Sequence, residues 1–139
     1  MNRGRNFQFR LDPVSGVPVY RQLIDQVSSA LASGTLSPGT QLPTVRQVAV
    51  DLSINPNTVL RAYREMEIRG VLETQQGSGT YIADRKVTED EAARDERLSR
   101  LAAECASRAG AGGFMVSELL RRLQEISDEP VKRVSTKGR

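Results

Sequence analysis

Residues 44–70 read TVRQVAVDLSINPNTVLRAYREMEIRG, and their pattern decides the fold. Thr44 and Gln47 have the spacing of a capping box, in which an N-cap hydroxyl and a side chain three residues on satisfy each other's backbone N–H. Val45, Val48, Ala49 and Leu52 then recur at helical steps, so a short helix has one inward face. The pattern breaks at Ser53-Ile54. Asn55 suits the next N-cap and Pro56 the first helical position, where a missing N–H costs little. This second helix runs to Gly70, the expected residue past its end, with Val59, Ala62, Tyr63 and Met66 as its core face. Helices joined by so tight a turn need a small residue at their crossing, and Ala49 is placed for it. Ser53 takes the turn, where Gly would fit more easily, and Ile54 plugs the angle.

The other side of the second helix presents Asn57, Thr58, Arg61 and Arg64, donors and acceptors with almost nothing to bury. The DNA major groove admits one helix and presents base edges to its N-terminal residues. Asn can bond bidentately to adenine and Arg to guanine, while Thr can meet a thymine methyl or a phosphate. An ordinary helical hairpin would share the apolar periodicity. It would not require the capping box, the turn spacing and the bare polar face together.

Working outward, residues 71–74 and 80–83 read as two strands around Gln75-Gln76-Gly77-Ser78-Gly79, a β-hairpin whose glycines permit the turn. Its tip can approach a DNA backbone closely, as a wing does. Gly77-Ser78-Gly79 lacks the Lys and following helix of a phosphate-binding P-loop. Upstream, residues 35–43 read as a loop around Pro38-Gly39. Tyr20, Leu23, Ile24, Val27, Ala30 and Leu31 trace the face of a helix with Pro18 in its first turn and Gly34 at its end. Residues 7–11, FQFRL, alternate in the period of a strand.

Beyond residue 84 the pattern changes. A helix is expected over 89–109, led by Glu89, Asp90 and Glu91, with Leu98, Leu101, Ala102, Cys105 and Ala109 as a narrow apolar stripe. Residues 110–113 break it, and a further helix carries Val116, Leu119, Leu120, Leu123 and Ile126 on one side. Two short helices bury little against each other. Pairing with the same segment of a second chain gives a larger core, so a homodimer through Leu98, Leu101, Cys105, Val116, Leu119, Leu120, Leu123 and Ile126 is expected. Cys105 reads as a small hydrophobe of that stripe. Residues 130–139 are basic, with little to bury, and read as a flexible tail.

The fold class is therefore α+β. An N-terminal winged helix-turn-helix over residues 1–84 precedes a small all-α dimerisation segment over 85–129. The chain of 139 residues has no His and one Cys. An internal disulfide, a zinc cage and any Ser-His-Asp pairing are thereby excluded, and no metal or cofactor is expected. With no convergent acid pair either, an enzyme is disfavoured. Net charge is +3 with a pI near 9.4, which suits a polyanion but proves little. No apolar run reaches membrane-span length and no secretory h-region opens the chain, so a cytoplasmic location is expected.

The segments PVYRQL (18–23), GTLSPGTQLPTVR (34–46), NPNTVLRAYREM (55–66), RGVL (69–72) and GSGTYI (77–82) closely resemble the GntR family of bacterial regulators, and the short helical tail is similar to its YtrA-like subfamily. The resemblance implies a sequence-specific DNA-binding regulator, a homodimeric repressor on a palindromic operator of double-stranded DNA. It places Thr44 and Arg46 in the family's L-P-S-x-R signature, whose Arg contacts DNA. Asn55, Asn57, Thr58, Arg61 and Arg64 fall at or on the recognition helix, and Gly77, Ser78 and Gly79 on the wing. Relatives often carry Arg where this chain has Pro56, and basic residues where it has Gln75 and Gln76. A different operator preference and a weaker phosphate attraction at the wing are implied. The competing reading is a protein-interaction module built on the same fold. Any effector ligand is left open.

Overall fold

The computed structural model describes residues 7–84 and 90–137, with side chains to residue 128. The chain divides into two compact units, residues 1–85 and 86–139. The first unit contains helices α1 (Val19–Ser33), α2 (Val45–Leu52) and α3 (Pro56–Ile68). Its strands are β1 (Gln41–Leu42), β2 (Leu72–Gln75) and β3 (Gly79–Ile82). The second contains α4 (Glu91–Ala111) and α5 (Val116–Lys137). No helix among the described residues is long and apolar enough to cross a membrane.

The apolar residues spaced three and four apart meet in one core. Leu23, Ile24, Val27 and Ala30 of α1, Val48 and Ala49 of α2, and Val59, Ala62, Tyr63 and Met66 of α3 are all buried, with Leu42, Leu72 and Ile82 of the strands. The N-terminal ends of α2 and α3 are both capped by side chains. Thr44 accepts from the Gln47 backbone while Gln47 accepts from the Thr44 backbone, the reciprocal pair expected of a capping box. Asn55 accepts from the Asn57 backbone at 2.8 Å, and Pro56 occupies N1. Between the helices Ser53 adopts a left-handed conformation (φ 55°), while Ile54 N–H bonds back to the Ala49 carbonyl at 3.0 Å. At its far end α3 closes in a Schellman motif. Gly70 (φ 78°) donates to Glu67, and Val71 donates to Met66 at 2.8 Å, directing the chain into β2.

The wing is a three-stranded antiparallel sheet in the order β1-β3-β2. Leu72 pairs with Ile82, Thr74 with Thr80 and Gln75 with Gly79, so each strand lies one residue nearer the turn than the positions read from sequence. Gln41 and Leu42, inside the loop expected over 35–43, pair with Tyr81 and Thr80 as β1. Two residues are too few to carry a period-two signal, and the partner that makes them a strand lies far along the chain.

Residues 7–11 are a correction. Their alternation holds, with Phe9 buried and Phe7 and Leu11 packed on the core, yet the segment joins no sheet. Side chains of α1 replace the missing strand. Gln26 accepts from Arg10 N–H and donates to its carbonyl; one turn earlier, Gln22 does the same for Asp12. The backbone polar groups are satisfied without a ladder. Phe7 and Phe9 meet edge to face at 4.9 Å.

In the second unit Asp90 caps α4 by accepting from Ala93 N–H at 2.7 Å; Glu89 lies outside the described residues. The expected break at 110 comes later. Gly110 and Ala111 stay helical, and a second Schellman motif turns the chain at Gly113 (φ 85°), with Phe114 N–H on the Ala109 carbonyl at 2.8 Å. The backbone of α5 continues to Lys137, where an irregular tail was expected from 130.

Candidate nucleic-acid interface

The helix-turn-helix leaves one face of α3 outside the core because the buried positions Val59, Ala62, Tyr63 and Met66 take up the other. Asn57, Arg61 and Arg64 are exposed there and, with Leu60, Glu65 and Ile68, line an open groove of about 400 Å³. Three of the residues read as base or phosphate contacts are thus brought to one surface. Thr58 is half-buried and is not part of that groove. Leu60 and Ile68 were missed as members of the face. Ile68 is 85% exposed, a large apolar side chain with nothing of its own chain to cover it.

Charge on this surface is uneven. The acids of α3 are engaged: Glu65 pairs with Arg69 at 3.0 Å, and Glu67 accepts from the Thr74 hydroxyl. Arg46, at the second position of α2, and Arg64 are exposed, and neither has an ion-pair partner among the described residues. Two guanidiniums on the helix pair therefore keep their full hydrogen-bonding edges for an outside acceptor. Arg61 is held differently, with its guanidinium carbon 3.8 Å from the centroid of the Tyr20 ring.

Thr44 and Asn55, counted among the DNA-contacting residues from sequence, have capping duties that occupy their oxygens. Tyr63 fixes the two helix starts relative to each other. Its buried hydroxyl donates to the Pro43 carbonyl at 2.6 Å, which ties the middle of α3 to the residue before Thr44. Burial pushes its phenol well above the usual range, so it remains a neutral donor.

At the wing tip Ser78 N–H closes a turn on the Gln75 carbonyl, with Gly77 at φ 79° and open space around it. Ser78 is less available than its sequence position suggested. Its hydroxyl meets the Tyr81 hydroxyl at 2.5 Å, and its carbonyl accepts from Gln41 Nε2 at 3.2 Å. Gly79 (φ 141°) lies so close to that amide that a Cβ would stand 2.6 Å from Gln41 Nε2. Gln41 is a wing residue that no local signal marked.

In the helical unit Ala109 is buried, while Cys105 and Leu119 are half-buried beside a groove of about 500 Å³ that Phe114 and Arg108 also line. The remaining residues read as a dimer surface, Leu98, Leu101, Val116, Leu120, Leu123 and Ile126, are 45–64% exposed. Phe114 and Met115, read as neither, are exposed beside them at 60% and 67%.

The family model for GntR bacterial regulatory proteins matches residues 19–82. The HTH-type transcriptional regulator Rv1152 of Mycobacterium tuberculosis is 38% identical over 120 residues, 86% of this chain and 94% of that protein. The HTH-type transcriptional repressor YtrA of Bacillus subtilis is 43% identical over 79 residues; the match takes in 57% of this chain and spans 61% of that relative's length. Among solved structures, a transcriptional antiterminator from Listeria monocytogenes is similar with a TM-score of 0.67 at 27% identity, over 91% of this chain and 94% of that one.

Proposed function

This chain belongs to the GntR family of bacterial regulatory proteins, and from that premise we propose that it is a cytoplasmic, sequence-specific DNA-binding transcription regulator, a homodimeric repressor of a palindromic operator. The observation that carries the reading is the outer face of α3. Asn57 and Arg64 stand exposed on one groove-lining surface, with Arg46 unpaired at the start of the neighbouring helix. Asn57 and Arg64 discriminate bases, whereas Arg46, Arg61 and the backbone around Gly77 hold phosphates and set the register; Thr58, half-buried beside them, is left to packing. The N-terminal dipole ends of α2 and α3 add a positive potential to the same task.

Residues 1–84 form the DNA-binding part and 85–129 the dimerisation part. The exposed apolar side chains of α4 and α5 support pairing, since one apolar residue of this unit, Ala109, is buried among those described. Two-fold symmetry of the protein then imposes symmetry on the operator. Occupying a promoter, such a dimer represses transcription; the Bacillus subtilis relative is itself named a transcriptional repressor.

The test is selection of binding sites from random duplex DNA, followed by titration of the selected duplex against salt. Phosphate-driven binding weakens steeply as salt rises. Arg46→Ala should weaken binding strongly and lower the salt slope by roughly 0.9 for a lost phosphate contact, with the circular dichroism spectrum unchanged. A chain that enriches no motif and ignores duplex DNA at low ionic strength belongs instead to the class of protein-interaction modules.

A further inference from the structure

Tyr20 is the second residue of α1, half-buried and packed against the core. Its spacing marks it as one more member of the apolar face of that helix. The structure adds a contact that spacing does not show: the Arg61 guanidinium sits over its ring, 3.8 Å from the centroid. A long, exposed side chain on α3 is thereby tethered to the start of a different helix.

The geometry of this contact decides what it can do. Cation–π stacking engages the flat face of the guanidinium, whereas all five N–H donors point outward in its plane. Tyr20 therefore restrains Arg61 without consuming a donor. A carboxylate partner would do the opposite, and among the described residues Arg61 has none. The restraint also limits reach. A guanidinium held over Tyr20 stays at the flank of α3, beside Asn57 and Arg64 in the lining of the same groove. Arg64 and Asn57 carry no such tether.

We propose that Tyr20 is a positioning residue for DNA binding, holding the Arg61 guanidinium edge outward for a phosphate oxygen of the duplex bound along α3. The inference rests on the DNA-binding reading above. Arg61 then contributes to affinity for every sequence, and base choice falls to its neighbours. Its side-chain freedom is restricted before DNA arrives, so less is lost on binding.

The experiment measures fluorescence anisotropy of the full chain on the selected duplex and on an unrelated one. Tyr20→Leu should weaken binding to both by about two- to fivefold, the factor matching an exposed cation–π contact. Tyr20→Phe keeps the ring and should bind as wild type. In an Arg61→Ala background Tyr20→Leu should cause no further loss. Tyr20→Met, which also lacks a ring, gives the same comparison if the Leu variant fails to fold. Wild-type affinity for both ringless variants would overturn the proposal, and so would an equal loss with and without Arg61, which marks Tyr20 as purely structural. Wild-type protein that binds no duplex brings down the DNA reading itself and this inference with it, a result distinct from intact binding with no Tyr20–Arg61 coupling.

Discussion

Ser53→Gly should stabilise the DNA-binding unit. Ser53 is the one non-glycine residue with positive φ among those described, at 55°, and an L-residue held there costs roughly 1–2 kcal/mol through the clash of its Cβ with the carbonyl. Glycine removes that strain. It also widens the unfolded ensemble, an opposing contribution of about 0.4–1 kcal/mol. The balance favours the variant by about 0.8 kcal/mol on mid-range values of both. Nothing else should change, because Ser53 is exposed and the bonds that define the turn are backbone bonds, from Ser53 to Val50 at 3.2 Å and Ile54 to Ala49 at 3.0 Å. For a unit of this size that is a rise in Tm of roughly 3–6 °C, read by circular dichroism at fixed protein concentration. Ser53→Val should move the other way, since a branched Cβ makes the left-handed conformation worse. A Ser53→Gly variant with unchanged or lower Tm would refute the claim that strain is stored in this turn.

Three further perturbations follow from the geometry. Asn57→Ala should relax base preference at one position of the selected motif, with a loss of about 1–3 kcal/mol on the preferred duplex; an unaltered motif removes Asn57 from base reading. Gly79→Ala combines a glycine-only φ of 141° with a displaced Gln41 amide, so urea unfolding should show a loss of about 1–3 kcal/mol. Stability within about 0.5 kcal/mol of wild type, the range of neutral surface changes, would contradict it. Leu123→Asp, on the 49%-exposed position of α5, should yield monomers by light scattering while the first unit keeps its fold. A wild-type chain that is already monomeric at micromolar concentration counts against the dimer.

Which residues were readable from sequence follows from how far their partners lie. Thr44–Gln47, Asn55–Asn57 and the run Val59, Ala62, Tyr63, Met66 are defined within one or two turns, and the structure contains them as read. The glycines at 34, 70 and 77 adopt the left-handed conformations their positions require. Phe7, Phe9 and Leu11 alternate as a strand would and yet form none, because period two reports which side chains face inward and not what satisfies the backbone. Here Gln26 does so for Arg10 across 16 residues. Gln41 became a wing residue through a bond to Ser78 across 37 positions.

The amino-acid order by itself determined the starts and caps of α2 and α3, the turn at Ser53 and the polar edge of α3 at Asn57, Arg61 and Arg64, because each depends on neighbours within a few residues and on a period of 3.6; it also placed the half-buried Thr58 on that edge. Only the tertiary structure decided how that edge is set. The packing of α1 on α3 lays Arg61 over Tyr20, Tyr63 reaches Pro43, and the sheet accepts Gln41–Leu42 as a third strand. Those contacts join segments far apart in the chain, and no local pattern constrains them until the core brings them within bonding distance.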